Sequence, residues 1–314
     1  MKIIGLESLT FGVDNVETCI RFLEDYGLEV KEQSAAGARL CALDGTYINI
    51  RNKNDAALPP AFRPGNSLRR TTYGVRDSAT IAAIADEIGK DRPVTSCPDG
   101  SIESIDDQGF AIGFQVSQRR AFRAPAEYCN APGDARTRPF NAVAVNEDAV
   151  IRPRSLSHVV YFVPDVDVAE AFYVERLKFR CTDRLVGAGP FLRPADSFDH
   201  HSLFLIQTPA AIKGCEHFTF HMAGPTEVLQ AGNRFCQKGY TSFWGPGRHK
   251  FGSNWFWYFN SPMGCHIEYD ADMDLHDESW VARAAPMNVD STQLFLFQQR
   301  DKWVPSGKPP AAGG

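Results

Sequence analysis

A pattern of strand, helix and three further strands recurs four times along the chain, and self-similarity of this kind constrains a fold more than any local preference. In the first copy, residues 2 to 13 are rich in β-branched and aromatic side chains, with no breaker after Gly5. Asp14 or Asn15 can cap the following helix. There Val16, Cys19, Ile20 and Leu23 fall at helical spacing, and Tyr26-Gly27 marks the end. Strands are expected over 28 to 33, 38 to 43 and 47 to 51, with Asp44-Gly45 turning between the last two. The second copy has a strand at 67 to 75, a helix capped by Ser78 and running to Gly89, and strands near 94 to 97, 102 to 106 and 110 to 116. The third starts at 156 and has a helix over 166 to 177, then strands at 179 to 185, 191 to 194 and 202 to 207. The fourth starts at His217, with a helix over 226 to 238 and strands ending at Tyr269. The order predicts an α+β fold of four βαβββ modules.

The pattern lapses between the second and third copies. Residues 118 to 154 are rich in Arg, Ala, Pro and Asn with weak periodicity, so the modules are expected to pair into two domains. These are 1–117 and 155–280, joined by 118–154 and followed by an extension, 281–314. From 305 onward that extension is Pro-, Gly- and Ala-rich, a composition expected to be disordered. A net charge of -5 offers no basic footprint for nucleic acid or an anionic membrane. No apolar run approaches the ~20 residues that span a bilayer, and the N-terminus has no secretory pattern, so a cytoplasmic location is expected. Eight cysteines without a CxxC pair fit reduced thiols rather than a zinc knuckle or a dithiol centre.

Histidine is distributed unevenly. All eight lie between His158 and His276, and the first half has none. Aligning the modules by their first strands sets His158 over Ser8, His217 over Arg70, and the Gly264–Glu268 stretch over 109 to 113, so Glu268 falls over Gly113. One scaffold is therefore present twice, and only the C-terminal copy carries two imidazoles and a carboxylate. Such a trio on one face of a metal leaves positions open, which suits non-haem iron(II) binding a substrate and dioxygen together. Strand alternation also puts His221 on the face of His217, and His266 on the face of Glu268, so periodicity leaves both open as ligands. Trp244, Trp255, Trp257, Phe191 and Phe251 are candidate pocket walls, with Arg248 and Asn254 undecided beside them. The acidic run 270 to 274 lacks the glycine and terminal glutamate of an EF-hand loop and reads as a solvated strand exit.

The sequence resembles the extradiol ring-cleaving dioxygenases of the vicinal oxygen chelate superfamily, in their two-domain form. The residues carrying the resemblance are Ser157-His158-Val159-Val160, Asp199-His200-His201-Ser202-Leu203, Glu216-His217-Phe218, Gly247-Arg248-His249, and Tyr258 to Glu268 with Pro262 and Gly264 between. It implies two domains, each a curved mixed sheet around a central cavity, with metal only in the second. It implies Fe²⁺, or Mn²⁺ in the same ligand set, held by His158, His217 and Glu268. His201 would be the acid/base, with His249 and Tyr258 as further active-site residues. The substrates implied are an aromatic diol or triol and O₂, in aromatic-compound degradation, and the assembly implied is a homo-oligomer. Two other classes stand beside this one: a non-redox isomerase or lyase using a divalent metal on the same fold, and a protein that sequesters a small aromatic.

Overall fold

The computed structural model describes residues 1–297 except 134 and 289. The expected disordered stretch, 305–314, lies outside them. Each expected module is present. The first is β1 (Ile3–Val13), α1 (Val16–Tyr26), β2 (Glu29–Ser34), β3 (Gly37–Cys41) and β4 (Tyr47–Asn52). The second is β5 (Ser67–Val75), α2 (Ser78–Ile88), β6 (Thr95–Ser96), β7 (Ile102–Ile105) and β8 (Ala111–Val116). The third comprises β9 (Ser155–Val163), α3 (Val166–Ala171), β10 (Phe179–Val186), β11 (Gly189–Pro194) and β12 (Leu203–Gln207). The fourth comprises β13 (Gly214–His221), α4 (Pro225–Gln237), β14 (Ser242–Arg248), β15 (Trp255–Asn260) and β16 (His266–Ala271). Two short strands follow, β17 (Arg283–Pro286) and β18 (Phe295–Leu296).

Local chemistry sets the helix ends. Asn15 caps α1 by accepting the Thr18 N–H at 2.9 Å, and Gly27 ends the helix at φ 117°, a left-handed conformation open to glycine. The cap of α2 is Asp77 and not Ser78. Asp77 has the extended backbone a cap needs and accepts the Thr80 N–H at 2.8 Å, whereas Ser78 is already helical. The expected third helix divides: after α3 the chain continues as a π-helical turn, Phe172–Arg176, with Phe172 and Tyr173 buried. Gly224, ahead of α4, has no side chain to cap with. Glu127 from the connecting segment accepts the Thr226 N–H at 2.9 Å instead.

The modules assemble into two mixed sheets of the same design. The first has strand order β2-β3-β4-β1-β5-β8-β7-β6, and the second β17-β10-β11-β12-β9-β13-β16-β15-β14-β18. In both, the two first strands lie antiparallel at the centre. Each is flanked by the last strand of its own module, running parallel to it. The registers coincide as well: Arg70 faces Thr10 as His217 faces Val160, and Gly113 lies beside Thr72 as Glu268 lies beside Thr219. The asymmetry between the two halves is thus one of side chains on a shared backbone plan. At the first sheet's equivalent place, Arg70 pairs with Glu103 at 2.6 Å.

One apolar core runs between the sheets. Tyr26 stacks on Tyr269 at 3.9 Å, Phe110 on Tyr161 at 4.2 Å, and Phe11 meets Phe218 at 5.1 Å. Such ring pairs add about 0.5–1.5 kcal/mol each beyond their area. They fix the backs of the metal-side strands, because Tyr26 also donates to the Glu268 carbonyl at 2.6 Å. The segment 118–154 has no helix or strand among the described residues and is tied near its start through Arg119 at Glu7 and Glu127 at α4, and near its end through Arg152 at Glu29. All eight cysteines are free thiols. Among the described residues, no helix is long and apolar enough to cross a membrane.

Candidate metal centre

His158 on β9, His217 on β13 and Glu268 on β16 converge, their ligand-capable atoms all within 4.8 Å of one another. His158 Nε2 is 3.3 Å from His217 Nε2 and 3.1 Å from Glu268 Oε2, and His217 Nε2 is 3.5 Å from the same oxygen. All three side chains are buried. Their far sides are tied down. Ser157 Oγ is 2.9 Å from His158 Nδ1, and Glu216 holds His217 Nδ1 with one oxygen and His266 Nδ1, at 2.8 Å, with the other. Engaging Nδ1 turns each Nε2 lone pair to the centre, the arrangement in which outer partners orient metal-binding histidines. Thr219 lies 2.9 Å from His158 Nε2 and donates to Glu268 Oε2 at 2.5 Å.

The donor set fits a divalent cation. Two imidazole nitrogens and a carboxylate facing one another in a buried space need a positive charge between them. Burial alone would raise the Glu268 carboxyl. The surrounding imidazoles of His158, His249 and His217 hold it well below the usual carboxylate range instead. Glu268 Oε1 is buried and has no hydrogen-bond partner among the described residues, the His249 Nε2 contact being 3.5 Å.

His221 and His266, which periodicity left open, lie outside this cluster. His221 Nδ1 is 2.7 Å from Asp270 Oδ1, while the His266 ring stacks on Phe243 at 3.7 Å. Alternation holds along β13, whose ladder with β16 runs unshifted from His217 through Thr219 to His221; His221 is excluded by distance, standing four residues further along, opposite Asp270. The acidic run at 270 to 274 is likewise not a solvated exit throughout. Asp270 is fully buried, held by His221 and by Ser157 at 3.3 Å, because the strand continues inward through Ala271.

The other three candidates surround the trio. His201, just ahead of β12, has its ring 4.2 Å from that of His158. Burial, reinforced by the neighbouring imidazoles, holds its pKa well below the usual histidine range, so it rests neutral. Tyr258, directly opposite Glu268 on β15, places its hydroxyl 3.3 Å from His249 Nε2 and its ring 4.9 Å from that of His217. Burial first, and the Glu268 charge second, push the Tyr258 phenol well above its usual range, so it keeps its proton. His249 Nδ1 is anchored on the Thr292 carbonyl at 2.6 Å.

These residues line a cavity of about 530 Å³. Phe191, Trp244 and Phe251 wall it, as does Asn254. Trp255 and Trp257 do not. Trp255 packs on Phe295 at 5.3 Å, and Trp257 lies against α4, where a Cβ on Gly232 would stand 2.2 Å from its ring. Arg248 pairs with Asp272 at 2.8 Å, turned from the cavity. Val160, Leu185, Phe204 and Ile206 also face the space, none distinguishable in sequence from core. The 281–297 stretch contributes too. Met287, Ser291 and Thr292 line the cavity, and β17 and β18 extend its sheet.

Comparison with known proteins agrees with this geometry. Residues 155–269 match the model of the Glyoxalase/Bleomycin resistance protein/Dioxygenase superfamily. The chain is 36% identical over 177 residues to metapyrocatechase 2 of Cupriavidus necator, a match covering 56% of the chain and about half, 51%, of that relative. It is 27% identical over 215 residues to biphenyl-2,3-diol 1,2-dioxygenase of Paraburkholderia xenovorans strain LB400, covering 67% of the chain and 70% of that relative. Among solved structures, the Mn(II)-bound glyoxalase from Novosphingobium aromaticivorans superposes with a TM-score of 0.74 at 19% identity, over 93% of this chain and 90% of that one. The likeness at that identity is one of fold. The stretch similar to that superfamily, residues 155–269, contains His158, His217 and Glu268.

Proposed function

We propose that the protein is an iron(II)-dependent extradiol dioxygenase. It opens a catechol-type or trihydroxylated aromatic ring beside its hydroxyls and places both atoms of O₂ in the product. The observation that carries this reading is the grouping of His201, His249 and Tyr258 around the His158–His217–Glu268 trio in one apolar cavity. Lewis-acid isomerisation or elimination does not call for that set. One relative is named a biphenyl-2,3-diol 1,2-dioxygenase and another metapyrocatechase 2, which supports the same reading.

His158, His217 and Glu268 would hold Fe²⁺, or Mn²⁺ in the same ligand set. When bound, the metal acidifies a chelated diol and provides a path for electrons between the ring and dioxygen. The chain's own residues do the rest. Neutral His201 takes a proton from a substrate hydroxyl at the cavity floor and returns it as the ring opens. Tyr258, which keeps its proton, donates a hydrogen bond to substrate oxygens as charge gathers there, and His249, its Nδ1–H held by the Thr292 carbonyl, turns Nε2 toward the same oxygens. Phe191 and Phe204, stacked at 4.0 Å, offer the ring and its substituents an apolar wall that keeps water out. In this reading 155–280 is the catalytic domain, 1–117 its metal-free counterpart, and the working assembly a homo-oligomer in the cytoplasm.

Metal analysis of anaerobically purified protein, followed by oxygen uptake across a panel of catechols, tests this. Bound iron or manganese, with uptake and a yellow ring-opened product, supports it. Metal binding without uptake would favour an isomerase or lyase, and tight binding of catechols without either would favour a sequestering protein.

A further inference from the structure

Behind His201 lies a buried chain of hydrogen bonds that the proposed reaction does not itself use. His201 Nδ1 is 2.9 Å from His200 Nδ1, and His200 Nε2 is 2.8 Å from Asp183 Oδ2. Asp183 and His200 are fully buried. Asp183 also accepts the Arg283 backbone N–H at 2.8 Å and its Nε–H at 3.1 Å. The backbone of His200 is fixed on both sides: its N–H donates to the Asp274 carbonyl at 2.9 Å, and its carbonyl accepts from Thr182 Oγ1 at 2.7 Å. Gly252 closes in from behind at φ 78°, where a Cβ would stand 3.1 Å from His200 Nδ1.

Donor counting along this chain permits one arrangement. Burial alone would raise Asp183, but hydrogen bonds from His200 and Arg283 hold it below its usual range, so it is ionised and accepts only. His200 Nε2 must then carry its proton. A neutral His200 therefore has a bare Nδ1, which accepts, and His201 Nδ1 must donate to it. Among the described residues nothing is hydrogen-bonded to His201 Nε2, and His201 lines the cavity.

We propose that Asp183 and His200 are positioning residues that hold His201 as its Nδ1–H tautomer and so present Nε2 to the cavity as a proton acceptor. The other tautomer would present an N–H at the same spot and could not take the hydroxyl proton. When Nε2 gains that proton, the Nδ1–H bond to His200 remains, and the carboxylate stands behind the new positive charge, as in an Asp–His pair behind a nucleophile. The tautomer is a property of the chain alone. Only the direction of proton transfer rests on the ring-cleavage reading.

The test begins with ¹⁵N-histidine-labelled protein loaded with diamagnetic zinc. Two-bond nitrogen–proton correlations should show His201 protonated at Nδ1 and bare at Nε2. In His200→Phe the His201 signal should move toward the Nε2–H form. Turnover of catechol by the iron-loaded variant should fall about tenfold or more, with KM within about twofold, since proton transfer and not binding is impaired. His200→Gln can accept from His201 with its amide oxygen and donate to Asp183 with its nitrogen, so it should restore both readouts. An Nε2–H His201 in the unsubstituted protein overturns the proposal, whether or not His200→Phe folds. So does an unchanged tautomer with full turnover in His200→Phe. An Nδ1–H His201 in a protein that turns over no catechol retains the positioning and removes the ring-cleavage reading instead.

Discussion

Asp106 gives a stability effect whose sign and size both follow from the fold. It sits at the start of the β7–β8 turn, where one oxygen accepts the N–H groups of Gln108 at 2.9 Å and Phe110 at 2.8 Å. The other accepts the hydroxyl of Tyr173 at 2.9 Å, across the interface between the two sheets. Burial outweighs these bonds and lifts the carboxyl from 3.8 to about 6. A raised acid means the fold binds the proton more tightly than the unfolded chain does. Its contribution is therefore fully present below the unfolded value and is lost as pH rises through the folded one. At ~1.4 kcal/mol per unit, the ionised carboxylate costs the fold about 3 kcal/mol at neutral pH. Asp106→Asn keeps an oxygen for the two backbone donors and offers an N–H to Tyr173, but it does not ionise. Denaturant unfolding of both proteins, run from about pH 4.5 to about pH 8, should show the variant gaining on the wild type by roughly 2 kcal/mol over that range. Other titrating groups are common to both proteins and cancel in the difference. A difference that stays flat with pH, or runs the other way, would refute the reasoning.

Three further outcomes follow from the same contacts. Glu216→Gln weakens the hold on His217 Nδ1 and should lower metal affinity by about 10–100-fold in calorimetric titration, with the far-UV spectrum unchanged. Tyr26→Phe removes the hydroxyl bonded to the Glu268 carbonyl and leaves a buried acceptor one partner short, a loss of about 1–2 kcal/mol in the unfolding free energy read by denaturant titration. Glu127→Ala strips the start of α4 of its borrowed cap and should cost about 1 kcal/mol, a loss that Glu127→Gln partly recovers.

Much of the fold was legible in the sequence because a repeated module leaves the same trace four times. The asymmetry of His158, His217 and Glu268 against Ser8, Arg70 and Gly113 is repeated in the ladder registers of the two sheets. What alternation alone could not separate was decided by distance along the strands: His221 stands four residues beyond His217, opposite Asp270, and His266 two residues before Glu268. Residues that act through another residue left no trace. Glu216 is adjacent to His217, but its bond to that ring depends on a rotamer, and Asp183 stands 17 positions from the His200 it fixes. The cavity walls Val160, Leu185 and Phe204 have the composition of core, and only the curvature of the sheet turns them toward empty space. Asp270 read as solvated because an acidic run usually is, whereas here one member of the run is drawn inward to neutralise His221.

The most direct test of the central claim is isotopic. Iron-loaded protein is given a catechol that it consumes, under ¹⁸O₂, and the ring-opened product is weighed by mass spectrometry. Dioxygenase chemistry at this site requires one O₂ consumed per ring and both labelled atoms in the product, with none in a Glu268→Ala protein that no longer holds metal. A product carrying one labelled atom or none, or formation of the same product without oxygen, would contradict it.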